Sequence, residues 1–216
     1  MKNKPLKILT YILGCLPLIA VAILFNRLPA EIPLHWNLDG TVDYSSKNTI
    51  WVLSSIALLL PIALNITPKI DPRGDNYKRF GKYYDGFCFI IVLVFVALNA
   101  ITLSEALFPG KLSVVSIIIV MIGIVFVYIG NMMPKVKNNF TFGLKTPWTL
   151  ADPDVWNKTH RLGGRLFFII GALMIISGLF LKDTITFFIT VVGTISIVII
   201  PIIMSYIWYT KLKASK

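Results

Sequence analysis

The sequence predicts an all-α integral membrane protein with about six transmembrane helices and both termini in the cytoplasm. Three observations carry this expectation. The 216 residues are 56% hydrophobic and only 14% charged, with a mean hydropathy of +0.77. A soluble domain of this size has roughly a quarter of its residues charged, and one small core cannot hold so large an apolar surplus. The apolar residues also fall into runs of spanning length, since ~20 residues cross the ~30 Å of bilayer hydrocarbon. Finally, the basic residues alternate between the loops in the manner of a multi-pass protein.

The first run, Leu6–Phe25, follows Lys2 and Lys4. Its basic start and its Ala20-Val21-Ala22 have the outline of a secretory signal, and Ile12-Leu13-Gly14-Cys15 that of a lipoprotein signal. The run continues unbroken to Phe25, so it is read as a retained span; retained or cleaved, Asn26–Lys47 lies outside. The further runs are Thr49–Thr67, Gly86–Leu107, Leu112–Asn131, Leu166–Leu181 and Thr184–Tyr209. The fifth is short and must begin near Gly163 or Gly164, with Arg165 snorkelling to the interface. The sixth contains Pro201, which predicts a kink rather than an end. Trp51, Trp208 and Tyr209 stand at span ends, where amphipathic rings prefer to lie.

Of the 21 Lys and Arg, all but Arg27, Lys47, Lys111 and Lys182 fall at the N-terminus, between helices two and three, between helices four and five, or after helix six. The positive-inside rule places those segments in the cytoplasm. The formal charge of +11 is thereby accounted for, and no basic segment stands apart from the helices to contact nucleic acid. The loop after the third helix divides the chain into an N-terminal membrane region, 1–110, and a C-terminal one, 111–216.

No ionisable residue is expected well inside a span; Asp85, Glu105 and Arg165 sit at edges, which argues against a proton relay. Glycines at seven-residue spacing, Gly123 with Gly130 and Gly164 with Gly171 and Gly178, predict close helix contacts. Two segments echo each other. Asn65-Ile-Thr-Pro68-Lys69 and Asn131-Met-Met-Pro134-Lys135 both end spans, and each loop then holds Asp-Pro followed by Asn: Asp71-Pro72 with Asn76, and Asp152-Pro153 with Asn157. This marks helices 2–3 and 4–5 as a candidate parallel repeat.

Two loops carry the candidate functional residues. The outer one, Leu28 to Asp43, is expected to be extended by its prolines and turned at Asp39-Gly40. It sets Pro33, His35, Trp36, Asn37, Gly40 and Asp43 at the membrane surface as candidate contacts for a peptide or a headgroup, or as an interfacial anchor. The inner one, Gly130–Gly164, offers Thr149, Asp152 or Asp154 as caps for a short helix starting near Pro153. Trp156 and His160 then share a face at i and i+4, and Trp148 and Trp156 are placed along the inner membrane surface. The loop reads either as a docking platform, or as a site centred on His160 and Arg161, or as a headgroup anchor. Cys15 and Cys88 form neither a disulfide framework nor a metal cluster. No phosphate loop, paired intramembrane carboxylates or catalytic triad spacing is present, so neither enzyme activity nor a cofactor is predicted.

The inner loop resembles the signature of the SdpI family of bacterial membrane proteins. The matching residues are Gly130-Asn131, Met133-Pro134-Lys135, Asn138, Gly143, Thr146-Pro147-Trp148-Thr149, Val155-Trp156, Thr159-His160-Arg161 and Gly164. The outer segment Leu28-Pro29, Ile32-Pro33, His35-Trp36-Asn37, Gly40 and Asp43 resembles the uncharacterised domain that often precedes it. Lys145 departs from the pattern, where the family usually has Arg, and lacks that residue's planar fork. The resemblance implies immunity to a secreted, membrane-active peptide toxin, met at the outer loop. It also implies signalling by holding a repressor protein at the inner one. The partners it implies are thus lipid, a peptide toxin outside and a small repressor inside. A small permease, and a membrane enzyme using His160, are the alternatives.

Overall fold

The computed structural model describes residues 3–37, 41–111 and 113–214. Six of its helices are long and apolar enough to cross a membrane, and the chain is a multi-pass membrane protein. In chain order they are α1 (Lys4–Leu24), α2 (Thr49–Ile70), α3 (Tyr77–Leu107), α4 (Val114–Met132), α6 (Pro153–Phe180) and α7 (Asp183–Ala214), with a single short turn of helix, α5 (Pro147–Ala151), before α6.

Two spans begin earlier than hydropathy alone predicts. Helix α3 starts at Tyr77 rather than near Gly86, because Tyr77, Phe80 and Tyr84 recur at helical spacing and are buried while Lys78, Arg79 and Lys82 are exposed. Its charged half masks an apolar stripe. Helix α6 likewise runs unbroken from Pro153, so the expected short helix and the fifth span are one element. Asp152, one of three candidate caps, accepts from the backbone amides of Asp154 (2.8 Å) and Val155 (3.1 Å). Thr149 instead completes a capping box with Thr146 on α5. Helix α7 continues through Pro201.

The outer segment is not merely extended. It folds into an antiparallel hairpin, β1 (Glu31–Trp36) with β2 (Val42–Ser46), and the register slips between Pro33 and His35. Pro33 has no N–H to give to the ladder, so an irregularity there is expected. Asp39 and Gly40, the predicted turn, lie outside the described residues. Ile32 anchors the hairpin in a buried cluster with Val21, Leu28, Ile50 and Leu103, which fastens it to α1, α2 and α3.

Helices α1, α2 and α3 pack on one another, as do α4, α6 and α7. The α4–α6 contact is built on the paired glycines. A Cβ on Gly123 would lie 2.8 Å from the Gly171 carbonyl oxygen, and one on Gly164 would lie 2.8 Å from that of Gly130. Backbone meets backbone, the close approach that seven-residue glycine spacing permits. Between α2 and α3, the buried Asn99 amide donates to the Ser54 hydroxyl at 2.8 Å.

Candidate functional site

The basic loops fold against each other at one end of the bundle. Asp71, at the C-terminal end of α2, is the buried centre of this contact. One carboxylate oxygen accepts the backbone amides of Phe140 and Thr141, each at 3.0 Å, and the Thr141 hydroxyl; the other accepts the Arg73 amide at 2.7 Å. Burial pushes the carboxyl up, but the Thr141 hydroxyl and the amides of Arg73, Phe140 and Thr141 outweigh it and hold the group below the usual carboxylate range. Arg73 donates to the Asn138 side chain and lies 4.6 Å over the Phe140 ring. Asn76 donates to the Asn138 carbonyl at 2.6 Å. The wholly buried Asn139 accepts from the Thr141 and Phe142 amides and from the Tyr77 hydroxyl.

Beneath this polar layer, Trp156 is 1% exposed among Tyr77, Phe80, Tyr84, Met132 and Val136. Its indole donates to the Val136 carbonyl at 3.0 Å. This corrects the expectation that Trp156 lies along the membrane surface: it is the keystone under the loop. Trp148 is half-buried and packs at 5.1 Å from Tyr206 of α7. Trp156 and His160 do share a face and stack at 3.9 Å. His160 is buried, and both its ring nitrogens are engaged, Nδ1 at 2.9 Å from the Trp156 carbonyl and Nε2 accepting the Leu144 amide at 3.2 Å. Gly143, at φ +114, lies against that ring where a side chain would collide. A substrate has no open route to this imidazole, and its neighbour Arg161 is exposed.

Asn138, Gly143, Thr146, Thr149, Trp156, Thr159, His160 and Gly164 thus lie within the folded loop or its helices, buried or half-buried. Asn131, Pro134, Lys135, Lys145, Pro147 and Arg161 are exposed. Lys145 donates to the Phe140 and Thr141 carbonyls at 3.2 and 2.9 Å, a use for which an ammonium suffices. Nothing in their residue types marks Asp71, Arg73, Tyr77, Asn139 and Thr141 as site residues in the sequence. The echo at Asp71-Pro72 is the one signal that points to them, and the two echoed aspartates do different work: Asp152 caps its own helix, Asp71 reaches another loop.

At the opposite end, a cavity of about 760 Å³ lies between the two helix groups. The first group contributes Leu53, Ile56, Leu98 and Ile101, and the second Ile118, Ile119, Phe187 and Thr190, while His35, Trp36 and Asn37 line it from the hairpin. Asn37 also braces the hairpin: its amide N–H donates to the Thr41 carbonyl at 2.9 Å and its side chain to the Thr41 hydroxyl at 3.0 Å. The Asn37 side chain reaches Asp43 at 3.4 Å. His35 and Asp43 are exposed, Trp36 is half-buried and Pro33 is buried. Gly40 lies outside the described residues. No group of three His, Cys, Asp or Glu converges as metal ligands among the described residues.

Asp85, expected at the edge of the third span, is level with the start of α1 and the end of α2. It is 5% exposed on α3 and pairs with Lys7 of α1 at 3.2 Å; Lys7 also donates to Asn65 of α2 at 2.9 Å. Glu105 is buried as well and accepts the Gly110 amide at 2.9 Å, closing the turn after α3.

Residues 135–205 match the SdpI/YfhL protein family, and residues 12–58 match a domain of unknown function, DUF1648. The chain is 25% identical over 210 residues to the immunity protein SdpI of Bacillus subtilis (strain 168), covering 97% of this chain and 98% of that protein. No solved structure matches. The first match spans α5, α6 and most of α7 with the loop that Asp71 holds, and the second spans the hairpin with the end of α1 before it and the start of α2 after it. The chain is a multi-pass bacterial membrane protein whose C-terminal region is similar to the SdpI/YfhL family and whose N-terminal region is similar to DUF1648.

Proposed function

We propose that this protein confers immunity to a membrane-active peptide toxin, which it meets at the hairpin end. The observation that carries the reading is the cavity under His35, Trp36 and Asn37. Its walls are apolar, its rim has hydrogen-bonding groups, and it opens at the membrane surface between two helix groups. Such a site suits the apolar side chains of an amphipathic peptide that partitions into the interface. The similarity to a protein named for immunity supports the same reading.

The basic end then faces the cytoplasm with both termini, as the distribution of Lys and Arg requires. Lys135, Lys137 and Lys145 are exposed there on a loop held from within, with Lys158 and Arg161 exposed beside them on the first turns of α6, a surface fitted to an acidic patch of a repressor protein. The division at residues 110 and 111 separates a region that meets the toxin from one that carries the platform.

A killing assay tests the reading. Sensitive cells expressing the protein should survive a peptide of this toxin class at concentrations that kill cells without it; equal killing sinks the immunity reading. Recruitment of a labelled repressor to membranes only when toxin is present tests the signalling part separately.

A further inference from the structure

We propose that the groove between α4 and α6 at the basic end is a binding site for one anionic phospholipid. The inference goes beyond the immunity reading and does not depend on it.

A cavity of about 380 Å³ opens on the outer surface of the bundle where α4 and α6 come closest. Its floor is backbone: a Cβ on Gly130 would lie 2.6 Å from the Phe168 amide nitrogen and 2.7 Å from the Gly164 carbonyl oxygen. Its far wall is apolar, Phe168 and Ile169, which are 45% and 54% exposed and so face lipid. Its near rim is polar, the exposed Arg165 and Asn131. Arg165 precedes Phe168 by three residues, about one helical turn, so the guanidinium stands at the basic end and the ring stands deeper in the hydrocarbon.

That order, cation at the boundary and apolar channel running inward, is the order of groups in a phospholipid. The phosphate meets Arg165, whose planar fork matches two phosphate oxygens. Asn131 gives one amide hydrogen to the Val127 carbonyl at 3.0 Å and keeps another for the headgroup. An acyl chain lies over the glycine floor against Phe168 and Ile169. Among the described residues no carboxylate lines the groove, so the charge selects an anionic lipid. The groove opens sideways into the bilayer, which favours a lipid over a soluble phosphate.

The experiment uses the full chain purified in detergent, with lipid retention read by native mass spectrometry and stability by thermal unfolding. Phosphatidylglycerol should be retained as a single adduct and should raise the melting temperature, while phosphatidylcholine and soluble glycerol phosphate should do neither. Arg165→Gln should weaken retention by about fivefold, the share of one interfacial charge. Lys211→Gln, which removes an exposed charge of the same end, should not. Ile169→Trp, which fills the groove and keeps the guanidinium, should also lose the adduct and covers the case of an Arg165 variant that fails to fold. Equal retention of phosphatidylcholine, displacement by glycerol phosphate, or equal losses in the Arg165 and Lys211 variants would overturn the proposal. So would binding of a second protein helix in the groove in place of lipid.

Discussion

At the scale of single residues, two buried carboxylates do the work that hydropathy conceals. Asp71 joins the two basic loops through the Phe140 and Thr141 backbone amides and the Thr141 hydroxyl, and accepts the Arg73 amide of its own loop. Because its folded pKa lies below the unfolded value of about 3.9, its contribution is complete above that value and is lost as pH falls through the folded one. Melting temperatures measured from pH 7 to pH 3 should therefore drop at the acid end. Asp71→Asn should flatten that drop and cost about 1–3 kcal/mol at neutral pH, since amide donors lose a charged acceptor. An unchanged pH profile in the variant would refute this role. Asp85 is bound to Lys7, and removing one partner of such a pair leaves the other uncompensated. Asp85→Ala should destabilise the protein by about 3 kcal/mol, and joint replacement with Lys7→Met should recover part of the loss. A double-mutant cycle on thermal unfolding measures both, and strict additivity would show that the two do not couple.

At the scale of elements, α4 and α6 form a contact that tolerates almost no volume. Gly171 faces the Gly123 carbonyl and the Val127 amide, with a built Cβ at 2.6 and 2.7 Å. Backbone atoms cannot give way as a side chain can, so Gly171→Leu must push the helices apart. Expression in folded form should fall sharply, whereas Gly81→Leu, where a Cβ meets nothing within 4 Å, should be tolerated. Detergent-solubilised yield and melting temperature distinguish the two, and equal behaviour would contradict the packing. The hairpin is the second element with a defined role. Ile32 is wholly buried beneath it, so Ile32→Asp should release the strands from α1–α3 and abolish toxin protection before it abolishes folding.

At the scale of the whole molecule, the two helix groups are joined at one end and parted at the other. The aromatic cluster around Trp156 draws on α3, α4, α6 and the loop between the last two, and it closes the basic end. The cavity of about 760 Å³ keeps the hairpin end open. Filling it with Ile118→Trp should lower protection in the killing assay while leaving the melting temperature within a few degrees; full protection would remove the cavity from the mechanism. Orientation is tested with single cysteines in a background lacking Cys15 and Cys88. Tyr44→Cys is placed on the hairpin and Lys145→Cys on the basic loop. A membrane-impermeant maleimide applied to intact cells should label the first and spare the second.

Helix number, the seven-residue glycine faces and the family signature were all legible in the linear sequence. Each depends on neighbours a few residues apart, or on the plain requirement that ~20 apolar residues cross the bilayer. The pairing of the outer loop into a hairpin was not legible, because Pro33 and the Asp39-Gly40 turn read equally well as an irregular loop. Neither was the early start of α3 and α6, whose buried stripes are diluted by Lys and Arg on their other faces. The site residues divide along the same line. His35, Trp36 and Asn37 stand out by type and lie at the cavity, but the cavity itself belongs to four helices distant in sequence. The folding of Asp71 onto Thr141, seventy residues away, is set by which loops the packed helices bring together. Local periodicity and solvent preference follow from sequence alone, whereas a buried polar contact exists only once tertiary packing has removed water and brought its partners within reach.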